Sequence, residues 1–223
     1  MIENLQDLLI RFDNLNNSGR YQEVLAEVNS LLQQQEDSGL YVAKANAEYG
    51  IGNFLAASDA LQRAISIDPD HAGARSNYGS VLFALGRYVD ALNACDSALY
   101  IDDEFGPAYI NAAHCLAYLG FVDLAADYLH KAVQKNPQDV DLAVTAALMM
   151  ADMDLYDMAR DMFMQVARMS TSPADIHDQI ADFFTNARQK GVDRTKVISD
   201  VNIWRNEFQR NPEVFRLASS LLN

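Results

Sequence analysis

A spacing of 34 residues, kept by several residue types at once, limits what this chain can become more than any other feature of it. Ala57, Ala91, Ala125 and Ala159 fall at that interval, as do Ala45, Gly79, Ala113 and Ala147. Gly52, Gly86 and Gly120 coincide too, with Asp154 as the departure, and Phe54, Tyr88, Val122 and Tyr156 share one slot. Leu61, Cys95, Leu129 and Phe163 occupy another; Ala64, Ala98, Ala132 and Val166 fill a further one. Pro69 and Pro137 stand two intervals apart, with Asp103 and Thr171 in the same slot without proline. A unit reused in this way buries its apolar side only by stacking on its neighbours.

Within each interval the pattern reads as a helix, a tight turn at the glycine, and a second antiparallel helix. Small residues in facing slots let two backbones approach, and a larger side chain such as Leu61 or Phe163 fills the gap beside them. Pro69 and Pro137 lack an N–H and so end the second helix.

The order of small residue, Tyr, Ala, aromatic, Ala and Pro over this period resembles the tetratricopeptide repeat family. Four consecutive repeats cover residues 38–172, falling by period at 38–71, 72–105, 106–139 and 140–173. A degenerate pair precedes them in 1–37, where Gly19–Leu32 echoes GRYVDALNACDSAL with Val24 in an alanine slot. The family's tryptophan slot holds Tyr41, Arg75, Tyr109 and Ala143, and the fourth repeat has lost its turn glycine. The resemblance implies an all-α fold: a right-handed superhelix (α-solenoid) of antiparallel helix pairs with a concave inner face and a C-terminal helical cap. Residues 174–223 supply the cap, since Ile176, Ile180, Phe183 and Phe184 recur at helical spacing, as do Val197, Val201, Trp204 and Phe208, without the small slots. Trp204 is expected to be packed there rather than to recognise a ligand.

The net charge of −14 argues against nucleic acid and against anionic membrane surfaces, both of which attract a cationic face. The charge is uneven: residues 1–187 carry 10 Lys or Arg and 27 Asp or Glu, whereas 188–223 carry 7 and 4. The basic end reads as a solvated capping segment. No apolar run approaches the ~20 residues of a membrane helix, so no membrane insertion is expected. The opening MIENLQDLLIRFDNL lacks the basic-then-apolar order of a signal peptide, so a cytoplasmic location is expected. Cys95 and Cys115 have no metal-motif spacing and read as buried free thiols.

Function has to come from the inner face. Family geometry implies that Asn46 and Tyr49, then Ser76, Asn77, Ser80 and Phe83, then Ile110, Asn111, His114 and Tyr118, and finally Val144, Thr145 and Leu148 line it, almost without charge. Members that grip an acidic C-terminal tail combine two Asn with several Lys or Arg. Asn46 and Asn77 match the amides, but Val42, Pro107 and Asn111 stand in the cationic slots, which excludes that mode. Asn77 and Asn111 occupy one slot in successive repeats and resemble a short form of the asparagine ladder in the repeat domain of O-GlcNAc transferase. Such amides satisfy an extended peptide backbone with little regard for its side chains. The ladder has Ala43 before it and stops at Thr145.

Seven methionines fall between Met149 and Met169, read as core filling, with a partner surface and a thioether copper site as alternatives. Asp152, Asp154 and Asp157 begin like an EF-hand but lack its glycine and terminal Glu, which leaves a solvated helix junction. His71, His114, His130 and His177 lie in separate repeats, and no phosphate loop, zinc spacing or nucleophile signature accompanies them. The expectation is a non-enzymatic adaptor or scaffold without cofactor, binding an extended, largely neutral or apolar segment of another protein. The alternatives are an accessory or targeting subunit of an enzyme system such as a glycosyltransferase, and a homo-oligomer self-assembling through the Met-rich last repeat.

Overall fold

The computed structural model describes residues 4–169, 173–208 and 211–222, which hold thirteen α-helices and no strand. Thr171 of the proline slot and Ser172 at the end of the fourth repeat lie outside the described residues, as does the side chain of Met169. Among the described residues no helix is long and apolar enough to cross a membrane. The chain divides into two compact units, Met1–Lys135 and Asn136–Asn223.

In the first unit, helices pair as α1 (Leu5–Asn17) with α2 (Tyr21–Leu32), α3 (Ser38–Gly50) with α4 (Phe54–Ile67), α5 (Ala72–Ala84) with α6 (Tyr88–Ile101), and α7 (Gly106–Tyr118) with α8 (Val122–Lys135). The glycines between the helices of a pair do what their spacing suggests. Gly52, Gly86 and Gly120 sit at φ 83°, 78° and 87°, a backbone that carries a Cβ penalty in other residues. The residue after each glycine returns its N–H to a carbonyl of the helix just ended: Asn53 to Glu48 at 2.8 Å, Arg87 to Leu82 at 2.9 Å, Phe121 to Leu116 at 2.8 Å. Helix-end carbonyls that would otherwise lack partners are thereby satisfied.

The small slots mark where helices touch. Ala57, Ala91, Ala113 and Ala125 are fully buried. At Gly79 even a methyl group is excluded, since a Cβ there would lie 2.5 Å from Cys95 Sγ and 3.0 Å from the Ala91 carbonyl oxygen. The N-terminal pair joins this stack through Phe12, Val24, Val28 and Leu40, one apolar cluster. Full burial of a side chain such as Phe12 contributes about 1.5–3 kcal/mol.

The second unit begins with the pair α9 (Val140–Asp152) and α10 (Tyr156–Met169), followed by α11 (Pro173–Gln189), α12 (Arg194–Glu207) and α13 (Pro212–Leu222). The turn that lost its glycine keeps its shape: Asp154 adopts φ 60°, and Leu155 donates to the Met150 carbonyl at 2.9 Å. Aspartate is among the few other residues that tolerate this region, and Lys190 holds the Asp154 carboxylate at 2.7 Å. Met149, Met150, Met162 and Met164 are buried and fill the core of this unit.

The helices after the fourth repeat depart from the period as their sequence implied. In α12, Val197, Val201 and Trp204 are buried at the spacing of Ala159, Phe163 and Val166 in α10, but with larger side chains. Helix α13 packs on both α11 and α12. The basic character of this segment has a local use: Lys190 pairs with Asp154 and Lys196 with Asp157, each at 2.7 Å, while in the opposite sense Glu207 of the segment pairs with Arg168 of α10. Surface pairs of this kind contribute only about 0–1 kcal/mol each, so they register the cap more than they stabilise it.

Trp204 Nε1 donates to His177 Nδ1 at 3.2 Å with both residues buried. Burial holds the imidazole below its ordinary range, against a smaller opposing pull from Asp178. The unfolded chain therefore takes up this proton first. The stability involved is fully present above a pH of about 6.5 and is lost as pH falls from there through the lower folded value. Urea unfolding at pH about 7.5 and 5.5 should show a loss on acidification that His177→Gln diminishes; an undiminished loss in the variant would exonerate His177.

Candidate peptide-binding face

The first helices of the first unit carry most of the expected inner-face residues. Asn77 Nδ2 donates to Asn46 Oδ1 at 2.9 Å. Asn111 Nδ2 donates to Ser76 Oγ at 3.0 Å and lies 3.4 Å from the Ser76 carbonyl. Each amide thus ties its helix to the preceding first helix, α5 to α3 and α7 to α5. Among the described residues no hydrogen bond reaches the Oδ1 atom of Asn77 or of Asn111, and neither is a buried atom left without a partner. Both residues are half-buried, which leaves these oxygens free to act as acceptors.

Aromatic rings stand further toward the C-terminal ends of the same first helices. Phe83 packs edge-on against Tyr88 at 5.1 Å and Tyr118 at 5.6 Å, and lies 6.2 Å from the His114 ring. Tyr88 and Tyr118 approach to 4.0 Å between centroids, and the Tyr118 hydroxyl, more than burial, pushes the Tyr88 hydroxyl up. One repeat earlier, Tyr49 meets Phe54 at 5.3 Å. Tyr49 and Tyr118 remain 42% and 63% exposed, so the row leaves apolar surface open. Ser80 is half-buried, its hydroxyl directed at the Ser76 carbonyl of its own helix.

Two assignments need correction. Ser76 is 0% exposed and Ile110 7%, so neither lines an open face. Their position in the first helix points at the neighbouring helix, and Ser76 serves the face only by anchoring Asn111. In the second unit Thr145 is exposed, with its hydroxyl bonded to the Asp141 carbonyl at 2.8 Å, and Leu148 is 45% exposed.

Two contacts were not anticipated. Tyr88 packs on the Phe83 and Tyr118 rings although it occupies the packing slot that opens the second helix. The period held the clue, because Tyr21 in the corresponding slot of the N-terminal pair covers Gly50, where a Cβ would lie 2.3 Å from its ring. Cys95 and Cys115 are both buried and free, and the nearby Cys115 thiol, more than burial, pushes the Cys95 thiol up. Among the described residues no group of three or more His, Cys, Asp or Glu could hold a metal ion.

Comparison with known proteins bears on the fold. The tetratricopeptide repeat family model matches residues 42–107. Among curated proteins, none matches the chain by sequence. A thermophilic tetratricopeptide-repeat protein of Thermus thermophilus is similar at 18% identity and a TM-score of 0.69, covering 81% of this chain and 98% of its own. PilF of Pseudomonas aeruginosa is similar at 16% identity and a TM-score of 0.63, covering 95% of each chain. YrrB, described as a tetratricopeptide-repeat protein with an unusual peptide-binding site, follows at 19% identity and a TM-score of 0.51, covering 85% of this chain and 96% of its own. The chain has the tetratricopeptide-repeat fold, and within it residues 42–107 match the tetratricopeptide repeat family model.

Proposed function

We propose that this protein is a non-catalytic interaction adaptor, and that the first-helix face of its Met1–Lys135 unit holds an extended, largely uncharged segment of a partner protein. The observation that carries this reading is the presence, on one set of first helices, of amide oxygens on Asn77 and Asn111 that no protein donor engages among the described residues and of the exposed rings of Tyr49 and Tyr118. An extended backbone supplies N–H donors to such oxygens, and its apolar side chains pack on the rings. None of these positions carries a charge, which suits a neutral segment better than an acidic tail.

The test uses peptides of about twelve residues selected on the immobilised protein, measured by isothermal titration. Removing two hydrogen bonds at ~0.5–1.5 kcal/mol each, Asn77→Ala with Asn111→Ala should weaken binding about tenfold. Because those substitutions also cut ties between helices, Tyr118→Ala provides a check: its ring is 63% exposed and holds its neighbours only by ring contacts worth about 0.5–1.5 kcal/mol each, so the fold should persist at the assay temperature, as circular dichroism would show, while affinity falls. Unchanged affinity in both variants would remove this face from the account.

A further inference from the structure

The second unit contains a cleft of about 820 Å³ between α9 and α11, within the size range of ligand pockets. Its floor is apolar: Leu148, Phe163 and Phe183 contribute, and Tyr156 stacks on Phe183 at 5.2 Å with an interplanar angle of 18°. Its rim is acidic. Asp152, Asp154 and Asp182 line it, and Lys190 is the one cation among the described lining residues. That lysine is already engaged, 2.7 Å from the Asp154 carboxylate and 3.1 Å from the Ala151 carbonyl. Asp152 and Asp182 have no ion-pair partner among the described residues.

Two unpaired carboxylates above an aromatic floor discriminate among occupants. An acidic segment is repelled by them. A wholly apolar one desolvates both carboxylates without compensation. An arginine suits both features: its aliphatic stem packs on the apolar floor, where Leu148 is 45% exposed, while its fork of donors bonds a carboxylate in bidentate fashion. We propose that this cleft binds an arginine side chain, flanked by apolar residues, presented by a partner protein. The site goes beyond the amide and aromatic face of the first unit and does not rest on it.

Isothermal titration with a capped hexapeptide of alternating leucine and arginine tests this, beside the same peptide with citrulline for arginine. Citrulline keeps the shape and removes the charge. The arginine peptide should bind at least tenfold more tightly than the citrulline peptide. Asp152→Asn with Asp182→Asn, both at exposed positions, should lower its affinity about tenfold, and Leu148→Arg should block the cleft with a cation of its own. Equal binding of the citrulline peptide, or no binding of either, overturns the proposal. So does an equal loss in Asp123→Asn with Asp127→Asn, exposed on α8, which would mark attraction to an acidic protein at large. Asn77→Ala with Asn111→Ala should leave arginine-peptide affinity unchanged, so failure of this site and failure of the first-unit face are read separately.

Discussion

Replacing Trp204 by alanine should lower the unfolding free energy of the second unit by about 3–5 kcal/mol, the range for deleting a large buried aromatic. The indole is 0% exposed, lies 5.8 Å from the His177 ring and 5.9 Å from that of Phe184, and donates to His177 Nδ1. Alanine therefore leaves a cavity and an unpaired buried acceptor together. Trp204→Phe separates the two: it restores most of the volume and should cost about 1–3 kcal/mol, the penalty of an unsatisfied buried group. Because this is the chain's only tryptophan, unfolding has to be followed by helical circular dichroism rather than indole fluorescence. Contacts in stacked repeats are near-neighbour ones, so the first unit should keep its melt while the second shifts down. A loss below about 1 kcal/mol would mean that Trp204 does not organise the cap, since such a value belongs to lightly packed sites.

The parts of this molecule that were legible in the sequence are those governed by a period. Ala57, Ala91, Ala125 and Ala159 had to be small because helices meet there, and all four are fully buried. Gly52, Gly86 and Gly120 had to adopt positive φ because the turn closes the helix, and they do. Features that break the period were less legible. Asp154 shows that the turn outlives its glycine, and the sequence carries no sign of the lysine that steadies it. Ser76 and Ile110 were misplaced because a slot names a direction relative to the repeat, while the width of the gap to the next helix decides whether the side chain reaches solvent. The arginine-sized cleft was invisible for a related reason. Asp152 closes α9 and Asp182 lies in the middle of α11, and α11 is longer than the repeat helices, so no fixed interval joins the two carboxylates. The contact between Cys95 and Cys115 depends likewise on how α6 meets α7.

Gly79→Leu should destabilise the first unit by about 3 kcal/mol or more, at the upper end of what overpacking costs. The smaller change, Gly79→Ala, decides whether the mechanism is right, because two effects of known sign compete there. Alanine gains about 0.8–1.0 kcal/mol of helix propensity over glycine. It also places a Cβ 2.5 Å from Cys95 Sγ and 3.0 Å from the Ala91 carbonyl oxygen, an overlap of the kind that costs about 1–3 kcal/mol. Cys95 is fully buried and has nowhere to withdraw, so the steric loss should win. Cys95→Ala removes the nearer obstacle. Alone it opens a small void and should destabilise by about 1 kcal/mol; combined with Gly79→Ala it makes room for the new methyl. The double variant should therefore be more stable than the sum of the single losses implies, with a coupling of about 1–2 kcal/mol in urea unfolding. Strict additivity would show that the Ala91 backbone, not the thiol, sets the approach of α5 to α6, and that the small slot is enforced by main chain alone.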